Sequence, residues 1–173
     1  MIIRELRFND FNDVVSNYYS YYDEVKHDQN FGLILYNNKP DLISEVDWFA
    51  GEYKLMLGHN AIVMVAEEND HVVGLCDIIG IRPNSELNHS AGLGIAIKKE
   101  FRAIGIGKAL LKESIEKAKN IFEVIYLSVF ETNYAARHLY TSMGFREIGI
   151  RENAIKRNNN YINEIMMELI LKE

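Results

Sequence analysis

The sequence predicts a mixed α+β fold, and three observations carry that reading. Helical and strand-like stretches alternate along the chain. Strand pairs joined by short turns recur too often for a doubly wound parallel sheet. The length of 173 residues, with only two prolines, fits one domain (1–173) without Pro-rich linkers and is enough to bury a sizeable core.

Residues 2–7 (IIRELR) read as a first strand, and Asn9-Asp10 reads as the cap of a helix beginning in FNDVVSNYYSYYDEV. Tyr18, Tyr19, Tyr21 and Tyr22 are expected to pack that helix on a sheet; the sharper alternative is that some of them line a pocket. Residues 39–58 form a second expected helix, capped by Asp41 or Ser44, with Leu42, Val46, Phe49 and Tyr53 inward and Trp48 as a packing residue. AIVMVAEE (61–68) and HVVGLCDIIGIR (71–82) read as a hairpin about Asn69-Asp70, followed by a polar loop over 83–90. Residues 91–99 read as a strand whose Gly92 and Gly94 mark a bulge or a close backbone approach. A helix over 106–120 buries Leu111, Ile115, Ala118 and Phe122. EVIYLSVF (123–130) is apolar enough to predict a central strand buried on both faces. A short helix over 134–143 ends at Gly144, and FREIGIRENAIK and YINEIMMELIL close the chain as a hairpin about RNNN.

Composition excludes several functions. A formal net charge of −6 argues against nucleic acid as a partner, which needs a basic face to neutralise phosphates, and it suits a cationic acceptor such as an amine. Cys76 is the only cysteine, so neither an internal disulfide nor a cysteine-based zinc site can form, and no metal is expected. Its apolar strand predicts a buried, inert thiol. No apolar run approaches the ~20 residues of a membrane span and no leader is evident, so no membrane partner and a cytoplasmic location are expected.

EFRAIGIGKALL (100–111) puts two glycines where a helix should start. Each weakens a helical turn by about 1 kcal/mol relative to alanine. A strand, a glycine-bearing turn and a helix also make an anion site, because the first-turn N–H groups lack intrahelical acceptors and point outward together. Arg102 and Lys108 add charge on either side. Neither the P-loop nor the dinucleotide spacing is met. The turn alone therefore leaves a diphosphate site and a purely structural turn both open.

The segment LGIAIKKEFRAIGIGKALLKESIEKAK resembles the acetyl-CoA-binding segment of the GCN5-related N-acetyltransferase (GNAT) superfamily. Its [Q/R]-x-x-G-x-[G/A] signature is matched by Arg102, Ala103, Ile104, Gly105, Ile106 and Gly107. LSVFETNYAARHLYTSMGF is similar to that family's next strand and helix, with Asn133, Ala135, Tyr140, Gly144 and Phe145 in register. The resemblance implies a mixed, mostly antiparallel central sheet flanked by helices, in which the strands at 92–98 and 124–130 splay apart. It implies an enzyme that moves an acetyl group from acetyl-CoA to a primary amine by direct transfer in a ternary complex.

Residue by residue, the resemblance places the pantetheine arm on backbone near Leu93, Ile95, Ala96 and Ile97, and the pyrophosphate on Arg102 to Lys108. Asn133 contacts the pantetheine arm, and Tyr140 protonates the departing thiolate. Asn133 is also a plausible helix cap, and Tyr140 also fits an apolar stripe. Many relatives carry a glutamate in the strand before the glycine turn; LGIAI has none. Candidate bases are Glu131, His89 and Asp77, with Asp77 alternatively binding the substrate ammonium. The tail, through Arg151, Ala154, Tyr161, Glu164 and Met167, resembles that of amino-acid, ribosomal-protein and polyamine acetyltransferases, with Tyr161 as a substrate contact. A small amine, leaning to a free amino acid, is the expected acceptor, with a protein N-terminus or polyamine as the alternative. Relatives also make a homodimer a possible partner state. A non-catalytic acetyl-CoA-binding module is the reading from a different class.

Overall fold

The computed structural model describes residues 1–28 and 31–172. Strand β1 (Ile2–Glu5) leads through a short 3-10 turn to helices α1 (Phe11–His27) and α2 (Leu42–Leu57). Strands β2 (Ala61–Glu68), β3 (His71–Gly80) and β4 (Ser90–Ile97) follow, then α3 (Ile106–Ala118), β5 (Val124–Phe130), α4 (Tyr134–Ser142), β6 (Arg146–Arg157) and β7 (Asn160–Ile170). The strands form one sheet in the order β1-β2-β3-β4-β5-β7-β6. Neighbours are antiparallel except β4 and β5, which run parallel. Both terminal hairpin turns use left-handed residues, Asn69-Asp70 and Asn158-Asn159, whose short polar side chains tolerate positive φ.

Helices α3 and α4 cover one face of the sheet. The expected stripe on α3 is buried at Leu111, Ile115 and Ala118, and Phe122, beyond the end of the helix, joins them with Cys76, Ile78 and Ile125. Helices α1 and α2 cover the other face over Val63, Val65 and Val72, through Val14 and Phe49. Strand β2 is therefore the one buried on both faces. The sequence assigned that role to β5, and the structure corrects it. In β5, Ile125, Leu127 and Val129 are buried, but Tyr126 is half-exposed and Ser128 exposed, because that face walls an open cleft.

Helix α2 is turned relative to expectation. Asp41 caps it, accepting from the Ser44 N–H at 2.8 Å. However, Leu42 and Val46 are exposed, and the inward positions belong to Glu45 and Phe49. The first turns of α2 lie over a cavity rather than over core, so apolar residues there gain nothing by facing in. Trp48 accordingly lines that cavity instead of packing the core.

Asp10 does not cap α1 with its side chain. Its carboxylate accepts from Arg4 at 2.7 and 2.8 Å and from the Arg7 N–H at 2.7 Å, and Arg4 also donates to Glu67 at 2.6 Å. Burial alone would raise the Asp10 pKa; the bonds from Arg4 and Arg7 outweigh it and hold the carboxyl below its ordinary value. A depressed folded pKa contributes stability that is complete above the unfolded value, about 4, and lost as pH falls through the folded one. Asp10→Asn should thus cost about 3 kcal/mol at pH 7. Urea denaturation of the two proteins should show that difference shrinking steadily below pH 4; a difference independent of pH would remove the ion pair as its cause.

Candidate functional site

The site begins with a break in the sheet. Strand β4 pairs along its whole length with β3, and β5 with β7, but β4 and β5 meet only at Ser90–Gly92 and Val124–Tyr126. Beyond Gly92 the two strands part. The Lys98 N–H bonds to the Val73 carbonyl at 2.8 Å, so the even-numbered residues of β4 exchange hydrogen bonds with β3. The peptide groups of Leu93, Ile95 and Ile97 therefore face the gap. Ala96 faces β3 with its peptide group and the cavity with its side chain, which corrects its expected place among the backbone ligands. The Ile97 carbonyl is taken by Arg102 Nε at 2.7 Å, leaving Leu93 and Ile95 to offer their groups to the gap.

Side chains on the α1–α2 face of β4 are small: Gly92, Gly94 and Ala96. A Cβ on Gly94 would lie 2.7 Å from Asp77 Oδ1, so this glycine is the close approach the sequence indicated, without a bulge. Two cavities meet here. One, of about 730 Å³, lies under α1, α2 and residues 33–40. The other, of about 570 Å³, lies in the wedge between β4 and β5. Asp77 and Gly94 line both. Burial pushes the Asp77 carboxyl up to about 7; the Glu52 charge adds to the rise and a hydrogen bond from Gly94 opposes it.

Tyr140 lies on the other face of the sheet. It is 7% exposed, tilted on Phe145 at 5.8 Å between ring centres, and belongs to the core cluster against which Leu93 and Ile95 pack. Burial, with Cys76 adding, raises its pKa well above the ordinary tyrosine value, so its hydroxyl holds its proton at neutral pH. Cys76 is fully buried and its thiol is raised by burial, as an inert residue requires.

At the glycine turn, Ala103 (φ 60°) and Gly105 (φ 92°) are both left-handed, and Gly105 is the N-cap of α3. The first helical bond runs from the Ala109 N–H to the Gly105 carbonyl at 3.1 Å. The N–H groups of Ile106, Gly107 and Lys108 thus have no intrahelical acceptor, and they converge with the preceding turn into an anion cradle. A Cβ on Gly105 would meet nothing within 4 Å of this chain, so the space in front of it is open to a ligand. These features fit the pyrophosphate of coenzyme A. Arg102 departs from expectation: its guanidinium pairs in a bidentate fashion with Glu24 of α1, the Nη2 bond being 2.9 Å, and stacks over Phe31 at 5.4 Å. Its charge is committed within the protein, and the cradle is left to backbone N–H groups and exposed Lys108.

The structure separates the remaining sequence candidates. Asn133 caps α4, its Oδ1 accepting from the Ala136 N–H at 3.2 Å. Glu131 lies beyond the end of β5, accepting from Asn163 at 2.9 Å, and lines neither cavity. His89 precedes β4 at the closed end of the wedge, its carbonyl accepting from Glu123 and Val124. Tyr161 is 59% exposed beside Lys156 and reaches neither cavity. Of the candidate bases, Asp77 alone stands where the cavities meet. Sequence reasoning missed Glu45 and Glu52. Their signal was present: two carboxylates at i and i+7 on the face of α2 that carries Phe49.

Comparison with known proteins agrees with this geometry. A family model described as "Acetyltransferase (GNAT) family" matches residues 12–145. An N-alpha-acetyltransferase of Sulfolobus acidocaldarius is 41% identical over 58 residues, 32% of this chain and 34% of the relative. The [Ribosomal protein bS18]-alanine N-acetyltransferase of Haemophilus influenzae is 31% identical over 111 residues, covering 62% of this chain and 70% of the relative. The match thus spans about a third of the first relative's length and about two thirds of the second's. Among solved structures, the yncA protein of Salmonella typhimurium, determined with its cofactor acetyl-CoA, superposes with a TM-score of 0.83 at 20% identity, over 99% of this chain and 94% of that one. At that identity the likeness establishes the fold.

Gly105→Val should lower acetyl-CoA affinity at least tenfold by calorimetry. It should also cost about 1–2 kcal/mol of stability, since a β-branched residue is forced to positive φ. Unchanged affinity in the folded variant would remove the anion cradle.

Proposed function

Because the chain belongs to the acetyltransferase (GNAT) family, we propose that the protein is an acetyl-CoA-dependent N-acetyltransferase whose acceptor is a small primary amine bound under α1 and α2. The observation that carries this reading is the meeting of two cavities at Asp77. One cavity leads to the gap between β4 and β5; the other is the size of a small-molecule site.

Acetyl-CoA supplies the activated acetyl group. The N–H groups at the start of α3 hold the pyrophosphate, and the Leu93 and Ile95 peptide groups hydrogen-bond the arm and the acetyl oxygen. An amine of pKa near 10 arrives as ammonium and must lose a proton before it can attack. Asp77 Oδ accepts that proton, and a carboxyl poised near 7 suits a base working at neutral pH. A nitrogen–carbon bond forms as the carbon–sulfur bond breaks. Two protons leave the nitrogen in all: one passes to solvent through Asp77, and the second, lost from the tetrahedral intermediate, replaces the proton that Tyr140 Oη gives to sulfur. Base and acid stand on opposite faces of the sheet and act through the gap.

The relatives named as an N-alpha-acetyltransferase and a ribosomal-protein-alanine N-acetyltransferase favour a second reading, a protein N-terminus as acceptor. Thiol release from acetyl-CoA with free amino acids, simple amines and N-terminal peptides separates the two. Transfer to peptides alone would establish the second reading, and tight acetyl-CoA binding without transfer to any amine would favour a binding module.

With a competent acceptor, kcat/KM should fall as pH drops through about 7, because protonated Asp77 cannot act as base. Asp77→Asn should remove that limb and lower kcat roughly 10²–10⁴-fold. Glu131→Gln should leave the limb in place; its loss there would transfer the role to Glu131. Tyr140→Phe should lower kcat while leaving acetyl-CoA affinity within about twofold, and an unchanged kcat would exclude Tyr140 as proton donor.

A further inference from the structure

Glu45 is 4% exposed, yet its Oε1 has no hydrogen-bond partner and it takes part in none of the described ion pairs. A carboxylate left this way is costly to bury. It is not a remnant on a solvated helix face: it lines the larger cavity from the inward side of α2. Its surroundings are aromatic. Tyr18, Tyr36 and Trp48 line the same cavity. Lys39, on the adjoining loop, lies over the Tyr19 ring at 4.5 Å instead of pairing with Glu45. Aromatic rings and an unpaired carboxylate lining one cavity suit an organic ammonium, which gains from both.

We infer that Glu45 forms a second cation subsite in the acceptor cavity, so that the acceptor is a small diammonium molecule held by one ammonium at Glu45 while the other faces Asp77. This rests on the transfer reading above for the identity of the reacting end, but the subsite stands on the cavity itself. Glu45 and Asp77 line the same cavity, so one extended molecule within it can reach both. A free amino acid carries a carboxylate where this cavity offers another one, so the inference turns the acceptor away from amino acids.

The test compares n-butylamine with 1,4-diaminobutane and spermidine on the full chain saturated with coenzyme A, by calorimetry, and with acetyl-CoA, by thiol release. The diamines should bind at least about tenfold more tightly than the monoamine. Glu45→Gln should bring the ratio near one, and raising ionic strength should narrow it in the unmodified protein, which keeps the test available if the variant does not fold. Equal binding of mono- and diamine, or a preference that survives in Glu45→Gln, overturns the subsite even if transfer occurs. A diamine preference that depends on Glu45 without thiol release from any amine upholds the subsite and overturns the transfer reading. A peptide with a basic second residue, preferred over both diamines, overturns the small-molecule acceptor.

Discussion

The structure depends on a sheet that is bonded on both flanks and open in the middle. Strands normally continue pairing because every unpaired peptide group in a dry interior is costly. Here β4 and β5 stop after a few residues, although each is fully bonded to its other neighbour. The peptide groups of Leu93 and Ile95 are held at the gap by the ladder behind them, so the opening is rigid and its polar groups are aimed before any ligand arrives. The wedge cavity follows from that parting, and Asp77 and Gly94 stand where it meets the larger one.

The turn after β4 is tied to the α1 side of the molecule. Arg102 reaches back to the Ile97 carbonyl and across to Glu24 of α1, while Arg157 of β6 donates to the carbonyls of Phe31 at 2.6 Å and Leu33 at 2.8 Å. The segment that roofs the acceptor cavity is thus clamped at one side by the hairpin and at the other by α1, whose far end holds the glycine turn. Charge expected to face the ligand serves here to fix the frame around it.

Much of the fold was legible because its signals are local. The α3 stripe, the turn residues Asn69-Asp70 and Asn158-Asn159, and the two glycines before α3 each state their conformation within a few residues. What was not legible depends on the gap, a tertiary feature. An apolar run such as 124–130 reads as doubly buried unless one knows that its partner strand diverges. His89 and Glu131 were plausible bases by proximity in sequence, but His89 sits at the closed end of the wedge and Glu131 beyond the end of β5, and neither lines a cavity. Asp77 was visible as a polar residue in an apolar strand; its weight came only when Gly94 was found opposite it. Glu45 was hidden by assigning the inward face of α2 to Leu42 and Val46.

The bare face of β4 divides labour within the molecule. With Gly92, Gly94 and Ala96 as its side chains there, the strand contributes almost no shape to the larger cavity. Shape comes instead from α1, α2, the segment between them and β3, which also brings Asp77. If the larger cavity takes the amine as proposed, delivery and selection are written in separate stretches of the chain. Substitutions over residues 33–48 would then redirect which amine is chosen while leaving the β4–β5 gap intact, and a lineage built on this frame could change its substrate while keeping its reaction.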